Sequence, residues 1–238
     1  MDLIKTLIPV EVAKGHWDRT GILSIPNLLR EKADIVHSHY FNKPDNEWNL
    51  MVYPKKGVNI NADLTQHVCS SDDSDLEEQI KHIHQLRNED KFTYNYERLD
   101  TSNAGQAYLH PIIREIFFSE DFLDYLSEIT DYDDLTIRDL DCFVSRYSSG
   151  HYNGPHTDHY NGRLAFVYHL SKDWRTEYGG LFCRLDWNLK PETVVAPPYD
   201  NLVIFDTKFQ GREGSPHLVT EVAQHSDKKR IGFTGWFR

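Results

Sequence analysis

From about Leu135 to the end of the chain, short apolar runs alternate with turn-rich segments, and this punctuation limits the fold more than any other feature. "LTIRDLDCFVSRY", "GRLAFVYHL", "GGLFCRLDW", "NLVIFD", "HLVTEV" and "RIGFTGWF" are six strand-like runs. Between them lie "SSGHYNGP", "SKDWRTEYGG", "NLKPE", "TKFQGREGSP" and "QHSDKK", rich in residues that turn a chain. Many short strands with such turns pack as a sandwich or barrel.

The first half reads differently. "GILSIPNLLREKADIVHSHYF" predicts a strand entering a helix, with Leu28, Leu29, Ala33 and Val36 at helical spacing. "NLMVYP" and "FTYNYERL" predict strands, and "RLDTSNAGQAYLH" a loop. "SSDDSDLEEQIKHIHQLRNEDK" predicts a helix opened by a Ser/Asp capping cluster. "HPIIREIFFSEDFLDYLSEIT" predicts two short helices. No Pro/Gly/Ser linker separates the halves. The expectation is one domain over 1–238: mixed α/β supporting and lid segments over 1–134, and a β core over 135–238. The stretch 93–110 is the lid candidate.

Bulk properties narrow the function. With 238 residues, 39% hydrophobic and 13% aromatic, the chain has material for a core. A net charge of −11 opposes a nucleic-acid-binding surface. No run reaches the roughly 20 apolar residues of a membrane span. Cys69, Cys142 and Cys183 are too few and too scattered for a disulfide framework, which fits a reducing, cytoplasmic setting. The sequence carries no signal of oligomeric state.

Within the β half, "GPHTDHYNGR" sets His156 and Asp158 two apart. Residues i and i+2 of an extended segment share a face, so both reach one metal ion. His217 opens "HLVTEV" and supplies a third donor. Two imidazoles and one carboxylate with open positions is the arrangement of non-haem Fe(II) oxygenases. A simple hairpin in "HLVTEVAQHSDKKRIGFTGWF" pairs His217 with Arg230 and puts Arg230, Gly232, Thr234 and Trp236 on the metal-facing side. A buried guanidinium demands a carboxylate, either Glu221 or a bound dicarboxylate. "HSH" at 37–39 and "HIH" at 82–84 are no such sites, because i and i+2 on a helix diverge by about 200°.

His156-x-Asp158, His217 and Arg230, with "RLAFVYHLSKDWRTEYGGLFCRL", "LVIFDTKFQGREGSPHLVTEV" and "KRIGFTGWFR", resemble the 2-oxoglutarate/Fe(II)-dependent dioxygenases in their prolyl 4-hydroxylase-like branch. The resemblance spans about 135–238. It implies a mainly β (α+β) fold with flanking helices around a double-stranded β-helix of jelly-roll or cupin type. It implies Fe(II) on His156, Asp158 and His217. It implies 2-oxoglutarate on Arg230, with Tyr147, His169 and Thr234 around it; relatives often have tyrosine where His169 stands. O2 is the other co-substrate. Succinate and CO2 are released as an oxygen atom enters an unactivated C–H bond. Because the carboxylate ligand Asp158 is present, hydroxylation rather than halogenation is expected. Arg146, Asp206 and Trp236 are candidate substrate contacts. The substrate is expected to be a prolyl or peptide group, or a free or carrier-bound amino acid. A free amino acid needs buried partners for its carboxylate and ammonium, and the sequence reveals no such pair. Two other readings stay open: a non-catalytic metal-binding β-barrel sensor or binding protein, and a zinc-dependent hydrolase.

Overall fold

The computed structural model describes residues 7–54, 68–69, 75–208 and 214–238. The helices are α1 (Val10–Thr20), α2 (Ala33–Phe41), α3 (Leu76–Asn88), α4 (Thr101–Ala104), α5 (Pro111–Phe117) and α6 (Glu120–Thr130). The strands are β1 (Ile22–Pro26), β2 (Asn49–Tyr53), β3 (Val68–Cys69), β4 (Tyr94–Leu99), β5 (Cys142–Tyr147), β6 (Tyr152–His156), β7 (Leu164–His169), β8 (Phe182–Leu185), β9 (Pro191–Val195), β10 (Asn201–Asp206), β11 (His217–Val219) and β12 (Arg230–Phe237). They pair antiparallel in the order β1-β10-β7-β12-β5-β4-β6-β11-β8-β9, with β2 beside β4 and β3 beside β2.

Alternation along each strand separates two interiors. Val144 of β5, Phe166 and Tyr168 of β7, Leu202 and Ile204 of β10, and Ile231, Phe233 and Phe237 of β12 face α1, α2, α5 and α6 in the main core. The opposite face curls on itself. Val167 of β7 and Phe205 of β10 pack against Phe182 of β8, with the Phe182 and Phe205 rings 5.1 Å apart. Strands far apart in the sheet order thus meet across a roll with the helices outside. This is the expected mainly β, double-stranded β-helix architecture.

Several expectations need correction. β6 forms where the Gly/Pro-rich "SSGHYNGP" predicts only a turn, and β9 forms within "NLKPE" and the residues after it. Asn153 of β6 pairs with Tyr94 and Val219 on either side, so neighbouring ladders override the weak local preference of the segment. "RLDTSNAGQAYLH" is not all loop: Asp100 caps α4 in a capping box. α1, unforeseen, packs on α6. Asp75 precedes α3 without a side-chain cap; the rest of the expected Ser/Asp cluster, and part of "TKFQGREGSP", lie outside the described residues.

The expected hairpin between "HLVTEV" and "RIGFTGWF" does not form. β11 lies between β6 and β8, where His217 is in register with both His156 and Arg184. β12 lies between β5 and β7, where Arg230 is opposite Tyr147. The segment joining them crosses the roll rather than turning back, and Glu221 pairs with Arg87 at 2.6 Å. Arg230 still faces inward, because the alternation of β12 sets its direction whatever strand lies beside it.

Candidate metal and co-substrate centre

The register of β6 with β11 places His156 and His217 directly across from each other, ring centroids 4.1 Å apart. Asp158 follows β6 in a turn and accepts a bond from the Asn161 carboxamide at 3.1 Å. Its carboxylate lies 3.3 Å from His217 Nε2 and 3.8 Å from His156 Nε2. One donor atom from each residue falls within 4.8 Å of the others, the one such cluster among the described residues.

Each ring is held from behind. His156 Nδ1 is 2.9 Å from the Gly154 carbonyl and His217 Nδ1 is 2.9 Å from the Ser215 carbonyl. A carbonyl only accepts, so Nδ1–H donates, and Nε2 of each ring is the atom turned towards Asp158. Burial, then the charge of His217, pushes His156 down to about 4, so it is neutral at pH 7. Burial works to raise Asp158, but the His217 bond and the two imidazoles outweigh it and hold the carboxyl well below its usual range. Two imidazole nitrogens and one carboxylate are a donor set that Fe(II) accepts.

The centre lines a cavity of about 380 Å³. Arg230 enters the same cavity and is 1% exposed, with its Nε sealed from solvent and unpartnered among the described residues. Its guanidinium carbon lies 5.0 Å from the centroid of the Tyr147 ring. Burial pushes the Arg230 pKa down, against the smaller effect of Tyr147. A charge buried this way wants an anion, and the described residues provide none. The residues therefore fit both an iron ion and a dicarboxylate.

The other sequence candidates divide. Tyr147, Thr234 and Trp236 line the cavity. The Trp236 indole helps keep Asp158 ionised, although it makes no well-formed hydrogen bond. His169 is fully buried one register step from Arg230, opposite Gly232, but it is not part of the cavity wall. Both its ring nitrogens lack partners among the described residues, and burial, then the charge of Arg230, pushes its pKa well down.

Arg146 and Asp206 are not cavity residues. Tyr147 points in, so its neighbour Arg146 points out. There Arg146 bonds Glu97 at 2.6 Å and Asp45 at 2.7 Å and stacks over Trp48. Asp206 shares the outward parity of Leu202 and Ile204 and accepts bonds from Tyr132 and the Lys208 amide. Half of the expected lid belongs elsewhere too: Tyr94 and Tyr96 line the cavity, whereas Tyr108 is buried among helices and bonds the Cys142 carbonyl. His151 and His159 lie in turns off the cavity wall.

Sequence reasoning missed Tyr53, Phe92, Phe143 and Asn153, which also line the cavity. Phe92 stacks on His156 with ring centroids 5.3 Å apart. The alternating aromatics of "FTYNYERL" signal this wall. Asn153 was hidden in a segment read as a turn.

Two imidazoles and a carboxylate beside a buried arginine, carried on an antiparallel β-roll, are a donor arrangement that mononuclear non-haem iron oxygenases use. Residues 142–238, the stretch holding all four, match the family model of the 2OG-Fe(II) oxygenase superfamily. That stretch is similar to the 2OG-Fe(II) oxygenases, enzymes that use Fe(II), 2-oxoglutarate and O2. No curated protein matches the sequence significantly. Among solved structures, a 2OG-Fe(II) oxygenase family oxidoreductase from Burkholderia pseudomallei is similar at 12% identity and TM-score 0.58, over 97% of this chain and 91% of that one. A Pseudomonas putida prolyl-4-hydroxylase is similar at 14% identity and TM-score 0.53, over 97% and 98%. A prolyl 4-hydroxylase structure from Phytophthora capsici is similar at 16% and 0.53, over 96% of this chain and 62% of that one. At these identities the likeness establishes the fold. No helix among the described residues is long and apolar enough to cross a membrane.

Proposed function

We propose that the protein is a hydroxylase of a prolyl or other peptide group, or of a free or carrier-bound amino acid, acting as a single domain over 1–238 in the cytoplasm. His156, Asp158 and His217 would hold Fe(II). Arg230 would hold the distal carboxylate of 2-oxoglutarate, with Tyr147 and Thr234 on the same wall and the neutral imidazole of His169 beside it. When bound, iron, 2-oxoglutarate and O2 supply an oxidant that hydroxylates an unactivated C–H bond, releasing succinate and CO2.

The chain's own residues do the rest. The Gly154 and Ser215 carbonyls fix the imidazole tautomers. Asn161 steadies the Asp158 carboxylate. Arg230 neutralises and orients a dianion in a cavity whose aromatic walls exclude water, so the geometry is set before substrate arrives. The free cysteines Cys142 and Cys183, both buried and unpaired, fit a reducing compartment.

The observation that carries the reading is Arg230: a fully buried cation with no anionic partner among the described residues, in the same cavity as the triad. The test is anaerobic titration with Fe(II) and 2-oxoglutarate, followed by the visible iron-to-oxoglutarate charge-transfer band. The band is expected in the wild type and should weaken strongly in Asp158→Ala and Arg230→Ala. A properly reconstituted wild type without a band overturns the reading.

A further inference from the structure

Once the triad and Arg230 are assigned, the cavity has no other charged side chain among the described residues. Its remaining wall is aromatic and apolar, formed mainly by Tyr53, Phe92, Tyr94, Tyr96, Phe143 and Val219. Asn153 interrupts that wall. It is half-buried between Tyr94 and Val219, its partners across β6 on either side. Its carboxamide oxygen is sealed from solvent and has no hydrogen-bond partner among the described residues. A half-turn of the terminal torsion exchanges the oxygen and NH2, so the group can meet a donor or an acceptor.

We infer that Asn153 is a specificity-determining residue that pairs with an amide of an uncharged substrate: an internal residue of a peptide, or an amino acid blocked at both ends. The inference rests on the oxygenase reading above. A zwitterionic amino acid would bring two charges into an aromatic cavity where the described residues leave no counter-charge, an unfavourable transfer. A blocked residue brings apolar surface for the tyrosine wall and amide groups for one unsatisfied carboxamide. Pairing satisfies both amides at once, since Asn153 Oδ1 has no partner among the described residues.

The experiment compares proline, leucine and phenylalanine with their N-acetyl amides, using the full-length protein. Binding to metal-free protein is read by tryptophan fluorescence, since Trp236 lines the cavity. Turnover of the iron-loaded enzyme is read by succinate release. At least one blocked amide should bind and turn over, and its free amino acid should do neither. Asn153→Ala should raise KM for that amide roughly tenfold with kcat within about twofold, an effect of the size of one lost hydrogen bond; Asn153→Gln should recover part of it. The charge-transfer band should be unchanged in both variants, which shows that they fold and load. Equal binding of a free amino acid and its amide overturns the inference, as does an unchanged KM in Asn153→Ala. So does a failure of every blocked amide to bind while the wild-type band is present. Loss of the wild-type band instead overturns the oxygenase reading itself.

Discussion

Arg230 concentrates the energetics of the site in one side chain. A buried charge without a partner among the described residues destabilises the protein that carries it, and on the proposed reading the same charge would bind a dicarboxylate tightly. The two consequences separate by mutation. Arg230→Met should raise the stability of metal-free protein by ~1–3 kcal/mol, read in urea melts. It should also weaken 2-oxoglutarate by about 100-fold or more, read by titration of the charge-transfer band. Equal or lower stability in the variant would mean that Arg230 is satisfied without co-substrate. At this scale the sequence was legible where donor chemistry is rare. His156, Asp158 and His217 come together in space, and Arg230 and Tyr147 share their cavity. Legibility failed where parity was ignored. Arg146 next to Tyr147, and Asp206 in step with Leu202 and Ile204, were bound to face away.

Single elements hold this cavity in shape. Gly179 and Gly180, both at positive φ, begin the approach to β8, and a Cβ on Gly180 would come within 3.0 Å of Arg230 Cδ. Gly180→Ala should therefore press on Arg230: on the proposed reading the Michaelis constant for 2-oxoglutarate should rise several-fold, with the Fe(II) affinity unchanged. At the far end of β12, Arg238 and Arg138 both pair with the buried Asp141, which precedes β5. Burial works to raise Asp141, but the two guanidiniums outweigh it and hold it at about 2. A depressed folded-state pKa stabilises above the unfolded value near 4, and the gain is lost as pH falls towards 2. Asp141→Asn should thus cost ~2 kcal/mol at pH 6, and the difference from wild type should vanish near pH 2. Denaturant melts across that range test it. Strand existence was mostly legible from alternation, but strand partners were not. The apparent 217–230 hairpin is a local pattern, overridden by ladders to β6, β8, β5 and β7 that join residues distant in the chain.

On the scale of the whole molecule, one sheet serves two purposes. Its outer face buries the helices and provides most of the core; its inner face holds almost all of the chemistry. Ligand binding should therefore add stability without changing the fold. Saturating Fe(II) alone at about 100 times Kd should add ~2.7 kcal/mol to anaerobic unfolding. That gain should be absent in Asp158→Ala. The β half was legible as a roll because turns punctuate it; the N-terminal half was not, because its helices are defined by what they cover.

The two imidazoles are stitched into adjoining strands, whereas Asp158 sits past the end of β6 in a turn beside the exposed Tyr160 and Asn161. Ion exchange should therefore be asymmetric. The amides of Tyr152, Asn153, Gly154, His156 and 217–219 should resist deuterium in metal-free protein, while those of 157–160 exchange fast. Iron would leave and return through the carboxylate side. An enzyme molecule stripped of its metal would be a rechargeable vessel, and its working lifetime would be set by iron supply rather than by refolding.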